Sequence, residues 1–268
     1  MSAPAASPGV ATDELRAEAV RVVAEGRTIL EPTTLEFRRA RVTGIVGHNG
    51  SGKTTLLKCL ARQSTPTTGQ ITLDGQPLST FGARAFARKL AYLPQQTPAA
   101  TGLTGRELVA YGRYPWHGAL GRIGSGGHRA IAEAMRLSDT TGFADRWVDV
   151  LSGGERQRVW VAMLIAQDTQ FIVLDEPIAA LDLAHQIEVL GVLRDLARTR
   201  RAGIVLVLHD INMAARFCDE IVALRDARVI VRGVPQDIMR ADVLGSIFGI
   251  PMRVLVDEAS GRHIAAPA

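Results

Sequence analysis

The chain has 268 residues, of which 31 are basic and 27 acidic, for a net charge of +4. That length suffices for one full core with an inserted subdomain, and the small positive excess selects neither nucleic acid nor an anionic surface as partner. The longest apolar stretches, 159–166 and 204–208, fall well short of the roughly 18 residues that a bilayer-spanning helix needs.

Residues 1–12 are rich in Ala, Pro and Ser, with no basic residue and no hydrophobic block, and are expected to form a disordered tail rather than a secretory leader. Leu15 to Val23 alternates loosely as a strand does, Glu25-Gly26-Arg27 reads as a turn, and Thr28 to Phe37 as a second extended segment. The apolar run 42–46 then leads into Gly47-His48-Asn49-Gly50-Ser51-Gly52-Lys53-Thr54-Thr55, followed by the Leu-rich stretch 56–60. A strand before the glycines and a helix after them put this loop at a strand-to-helix turn. Several backbone N–H groups can converge there on one anion, and the helix N-terminus adds roughly half a positive charge. The spacing G-x-x-x-x-G-K-T is complete, so Lys53 is expected to meet the β- and γ-phosphates of a nucleotide and the Thr54 hydroxyl to ligate Mg²⁺. A dinucleotide fingerprint is excluded, because Thr55 stands where that pattern requires a glycine after Gly50 and Gly52. The sheet of the first two segments is expected over the adenine side of the site.

Asp74-Gly75, within the stretch 71–78, is a hairpin signal. Ala83 to Lys89 is expected as a short helix and Leu90 to Leu93 as a strand stopped by Pro94, with Gln95 directly after it. No strand of a parallel sheet is expected from there to Gln170: Thr104 to Arg113 and His128 to Leu137 read as helices, separated by an irregular Gly-rich stretch from Tyr114 to Gly127. The span of about 96–168 therefore reads as a helical insertion in an α/β core.

Leu151-Ser152-Gly153-Gly154-Glu155 closes that insertion. Ser152 with Glu155 forms a capping box, and Val159, Ala162, Met163 and Ala166 line one helical face, so a long helix starts at Ser152 with a second N-terminus able to face a phosphate. The fully apolar strand Phe171 to Leu174 ends in Asp175-Glu176. Ligands of open parallel sheets lie beyond the carboxyl ends of the strands. Both acids thus belong at the Lys53 site, Asp175 to hold Mg²⁺ and Glu176 to orient or deprotonate an attacking water. Leu181-Asp182 and a helix from Leu183 to Arg200 follow, and Ile204 to Leu208 repeats the pattern with His209 at its end, poised to contact the γ-phosphate. Glu220 to Leu224 and Val229 to Val231 are expected as an antiparallel pair, 235–240 and 242–248 as short helices, and 258–268 as a tail. Cys59 and Cys218 lack CxxC or Cys/His spacing and read as buried free thiols of a reducing compartment; the remaining histidines show no metal spacing.

Taken in order, the phosphate loop, Gln95, Leu-Ser-Gly-Gly-Glu at 151–155, the Asp175-Glu176 pair, Leu181-Asp182 and His209 resemble the ATP-binding subunit of ABC transporters, from about Leu15 to Val256. The segments 86–94, 106–122, 208–219 and 249–252 are similar to the ATPase of iron(III)-hydroxamate siderophore importers, an architecture that haem and vitamin B12 importers share. The resemblance implies an α/β fold, a P-loop NTPase core with an N-terminal antiparallel β subdomain and an inserted α-helical subdomain, spanning 13–257. It implies ATP and Mg²⁺ as cofactors, with Gln95 sensing the γ-phosphate and the metal. It also implies a head-to-tail homodimer in which each ATP lies between Lys53 of one copy and Ser152, Gly153 and Gly154 of the other, with Asp182 among the nucleotide-contacting residues. The surface around 106–116 is implied to receive a helix of a membrane permease, a substrate-binding protein to act indirectly, and the subunit to sit peripherally on the cytoplasmic face of the membrane, without nucleic acid.

Two places depart from the family pattern. The family usually stacks an aromatic ring on adenine, yet residues 1–36 contain none; Val22 stands at the corresponding place, with Arg21 or Arg27 as stacking alternatives. Ile178-Ala179 replaces the usual Thr-Ser. An ABC ATPase of DNA repair would need a heptad insertion or zinc cysteines, and a translation-linked one two cassettes, so those classes are disfavoured, whereas an exporter subunit stays open.

Overall fold

The computed structural model describes residues 13–118 and 121–268, so the tail expected at 1–12 lies outside the described residues. The chain opens with a hairpin of β1 (Glu14–Ala24) and β2 (Arg27–Arg38), whose turn holds Glu25 and Gly26 at φ 49° and 74°. Two successive left-handed residues match the twist of paired strands, which is why Glu-Gly serves here. β3 (Val42–Val46) runs through the glycine loop into α1 (Lys53–Leu60). A second hairpin, β4 (Thr68–Leu73) and β5 (Gln76–Pro77), turns on Asp74-Gly75, again with both residues at positive φ. These strands form an antiparallel sheet in the order β2-β1-β4-β5.

After α2 (Ala83–Ala87) and β6 (Leu90–Leu93) come α3 (Gly105–Tyr111), α4 (Tyr114–His117), α5 (Ser125–Leu137) and α6 (Gly153–Gln167). The described residues between β6 and β7 (Phe171–Leu174) hold no strand, only one isolated bridge between Thr104 and Trp147. The stretch expected to be irregular from Tyr114 thus begins with a helical turn, which Pro115 favours at a helix start. α7 (Leu183–Thr199), β8 (Gly203–Val207), α8 (Ile211–Phe217), β9 (Glu220–Arg225), β10 (Arg228–Gly233), α9 (Pro235–Ile238), α10 (Ala241–Phe248) and the hairpin β11 (Met252–Val256) and β12 (His263–Pro267) complete the chain.

The central sheet runs β10-β9-β3-β8-β7-β6, parallel from β9 to β6, with β10 antiparallel at one edge. Its inner strands β3, β8 and β7 are buried on both faces, and successive residues divide between two apolar clusters as a period of two requires. Ile172, Leu174, Ile204 and Leu206 pack towards the helical insertion and α7, while Phe171, Val173, Val205 and Val207 pack towards α1 and the antiparallel sheet. The carboxyl ends of β3, β6, β7 and β8 consequently share one edge, where the glycine loop, Gln95, Asp175, Glu176 and His209 follow them.

The carboxyl-terminal residues form more than a tail. β12 pairs with β11, and Asn212 of α8 holds Ala265 by both its backbone groups, donating to its carbonyl at 3.1 Å and accepting from its N–H at 2.7 Å. His-Ile-Ala-Ala-Pro carries little strand signal of its own, so a side chain of a distant helix has to supply it.

Candidate nucleotide site

Close packing dictates the glycine loop. A Cβ on Gly47 would lie 2.0 Å from the Leu224 carbonyl oxygen of β9, and one on Gly52 2.7 Å from the Ile29 carbonyl oxygen of β2, with both residues at positive φ. Only glycine lets the loop pass between those strands and leave the N-terminus of α1 open. Gly52 is the N-cap of α1 and makes no side-chain cap, so the first N–H groups of that helix are left for a ligand. Lys53, 5 % exposed, folds back to donate to the carbonyls of Gly47 at 2.9 Å and His48 at 2.8 Å. Burial lowers its pKa, opposed by the charges of Glu176 and Asp175.

Thr54 Oγ1 donates to Asp175 Oδ1 at 3.1 Å, joining the loop to the end of β7. Asp175 is 1 % exposed, and its Oδ2 is buried without a hydrogen-bond partner. Burial raises its pKa, with the Thr54 hydroxyl acting the other way. A carboxylate oxygen left unpaired in the interior beside a threonine hydroxyl is a donor set for a hard divalent cation, so these residues fit Mg²⁺.

Glu176 holds its backbone at φ 53°, an uncommon conformation outside glycine that concentrates where function over-determines the geometry. Its carboxylate takes two partners: Gln95 Nε2 donates to Oε2 at 2.8 Å, and His209 Nε2 lies 2.6 Å from Oε1. Three residues from the ends of β6, β7 and β8 thereby become one cluster. With Ile29, Asn49, Gly50, Gly52, Lys53, Thr54 and Thr55 they line a cavity of about 390 Å³. This is a cationic loop facing one carboxylate held by an amide and an imidazole, an arrangement that suits a triphosphate.

The family profile described as "ABC transporter" matches residues 30–179, more than half of the chain. The chain belongs to the ABC transporter family. Over 89 % of its length this ABC ATPase is 40 % identical to the petrobactin import ATP-binding protein of Bacillus anthracis, covering 88 % of that protein. It is 37 % identical to the iron(3+)-hydroxamate import ATP-binding protein of Bacillus subtilis strain 168, over 89 % of this chain and 88 % of the relative. Among solved structures, a dimeric ATP-binding cassette in a post-hydrolysis state bound to ADP and Pi superposes with a TM-score of 0.73 at 25 % identity, covering 82 % of this chain and 98 % of the other. ATP binding and hydrolysis are thus the activity of this ABC ATPase.

The other expected site residues fall elsewhere. Ser152 caps α6, accepting from Glu155 N–H at 3.2 Å while Glu155 accepts from Ser152 N–H at 2.8 Å, and neither Ser152, Gly153 nor Gly154 lines the cavity of its own chain. Asp182 caps α7, accepting from the His185 N–H at 3.0 Å and pairing with its ring at 2.8 Å, and it too lies off the cavity. His48 and Ser51 belong to the loop; His48 points outward to Asp226 at 3.6 Å, and Ser51 is buried. Val22 packs against the apolar cluster under the antiparallel sheet, and Ile29, which sequence reasoning passed over, takes the cavity wall instead. No local signal marks Ile29, because only the approach of Gly52 to β2 puts it there. Ile178, one of the two departures from the family pattern, is buried in the main core, where an apolar side chain replaces a hydroxyl without needing a partner.

Proposed function

We propose that the chain is the ATP-hydrolysing subunit of a membrane importer for ferric siderophore complexes, and that it works as a pair of identical copies bound to permease subunits on the cytoplasmic face of the membrane. The observation that carries the catalytic part is the Gln95–Glu176–His209 cluster facing the Lys53 loop across one cavity. Glu176, held from both sides, is placed to accept a proton from an attacking water, and His209 and Gln95 to hold that water and the γ-phosphate in line. Thr54, Asp175 and Gln95 would hold Mg²⁺, which supplies charge neutralisation of the β- and γ-phosphates when bound.

Pairing of two copies accounts for a capped helix N-terminus with two glycines that does not line the nucleotide cavity of its own chain: in a head-to-tail pair, Ser152, Gly153 and Gly154 would close on the nucleotide of the other copy. Docking to a permease is supported by the exposed aromatics Tyr111, Tyr114 and Trp116, of which Trp116 lies between the guanidiniums of Arg88 and Arg113 at 5.2 and 5.0 Å. Among the described residues no helix is long and apolar enough to cross a membrane, so the spanning part would come from a partner. The cargo reading rests on the relatives, which are named for petrobactin and iron(3+)-hydroxamate import, and on the similarity of 106–122 and 208–219 to the hydroxamate type. The test is uptake: a strain lacking this gene should lose growth on ferric hydroxamates as its iron source and regain it with the wild-type copy but not with Glu176→Gln. Undiminished uptake of every ferric siderophore in the deletion strain would refute the import reading.

A further inference from the structure

Tyr92 stands on β6 directly opposite Val173 of the parallel strand β7, and the ladder continues beyond them where Asp175 N–H donates to the Leu93 carbonyl at 2.9 Å. Paired residues of parallel strands share a face, as do residues two apart on one strand. The clusters agree: Tyr92 and Val173 pack on the α1 side of the sheet, Leu93 and Leu174 on the other. Tyr92 and Asp175 therefore project from the same face, beside the start of α1. The Tyr92 hydroxyl is buried with no hydrogen-bond partner, and so is Asp175 Oδ2, while Oδ1 is taken by Thr54.

A phenolic oxygen without a partner in a core is unfavourable, and phenylalanine would fill the same space without it. Here the unpaired donor shares a sheet face with an unpaired acceptor to which it makes no direct bond, and two such groups are what an ordered water joins. Burial, with the Asp175 charge second, pushes the Tyr92 pKa up to about 12, so the phenol keeps its proton and stays a donor.

We propose that Tyr92 is a positioning residue for the metal-binding carboxylate: its hydroxyl donates through one bridging water to Asp175 Oδ2 and fixes the carboxylate plane for the Mg²⁺ of the nucleotide complex. The inference rests on the reading of Asp175 as a Mg²⁺ residue, and the two are separable. The experiment compares the wild-type chain, Tyr92→Phe and Tyr92→Leu for Mn²⁺ affinity in the presence of ADP, by electron paramagnetic resonance titration, and for ADP affinity in EDTA. Loss of the hydroxyl should weaken Mn²⁺ binding about 10-fold, leave metal-free ADP affinity unchanged, and leave the melting temperature of Tyr92→Phe unchanged or higher, since an unpaired buried oxygen is gone. In an Asp175→Asn background the same change should have no further effect on Mn²⁺. Wild-type Mn²⁺ affinity in both Tyr92 variants overturns the proposal, as does an equal loss in both backgrounds. Wild-type Mn²⁺ affinity in Asp175→Asn alone overturns the Asp175 assignment, and the proposal falls with it.

Discussion

His209 Nε2 lies 2.6 Å from Glu176 Oε1, a pairing of residues at the ends of β8 and β7, which are adjacent in the sheet. With Gln95 Nε2 on Oε2, this contact holds both oxygens of the Glu176 carboxylate in place. Glu176→Gln should bind ATP and lose turnover by at least about 10²-fold, and His209→Ala should lose about as much, with ATP affinity within about threefold of wild type. Steady-state phosphate release and equilibrium nucleotide binding check both, and normal turnover in Glu176→Gln would remove it from the role of base.

Asp175 predicts an opposition between stability and function. Its folded pKa is raised by burial, so the stability tied to its protonated form is present below the ordinary carboxylate value and lost as pH rises through the raised one. An amide at this position fills the same space with no charge to bury. Asp175→Asn should therefore raise the melting temperature by about 2–4 °C at about pH 7.5, with the gain shrinking towards about pH 4, while turnover is lost. A lower melting temperature for the variant at neutral pH contradicts this account.

Gly153 has open space around its Cα, with no atom within 4 Å of the place a Cβ would take, and it opens α6 at a position where an acidic residue suits the helix dipole. Gly153→Asp should leave the melting temperature and single-copy ATP binding near wild type. If the residue meets the nucleotide of a second copy, turnover should fall by about 10²-fold or more from repulsion of the phosphates. Full turnover in this variant argues against closure by a second copy.

Gly47 is the opposite case, since its Cβ would meet the Leu224 carbonyl at 2.0 Å and its φ is 143°. Gly47→Ala should cost at least about 2 kcal/mol and lower the melting temperature by about 4–8 °C. A denaturation midpoint equal to wild type would mean that the loop and β9 move apart freely.

Most of the site was readable because its chemistry is contiguous. The run 47–55 carries its own strand, turn and helix start, the Ser152–Glu155 box carries its own cap, and Asp175-Glu176 ends a strand too apolar to be anything but buried. The packing of Val22 was not readable for a specific reason. β1 shifts register between Ala17 and Val20, between Val20 and Val22, and between Val22 and Val23. Each shift can exchange the faces of the residues after it, so no alternation pattern can tell that Val22 turns to the core.

The amino-acid sequence by itself determined what the protein grips and the chemistry it performs, because phosphate cradle, cap and carboxylate pair depend on neighbours a few residues away. Only the tertiary structure decided that Ile29 lines the cavity, through the approach of β2 to Gly52. The same holds for the strand that Asn212 builds from 263–267 and for the face on which Tyr92 shares its surroundings with Asp175. Those outcomes turn on strand register and on contacts between distant segments, which a linear pattern does not encode.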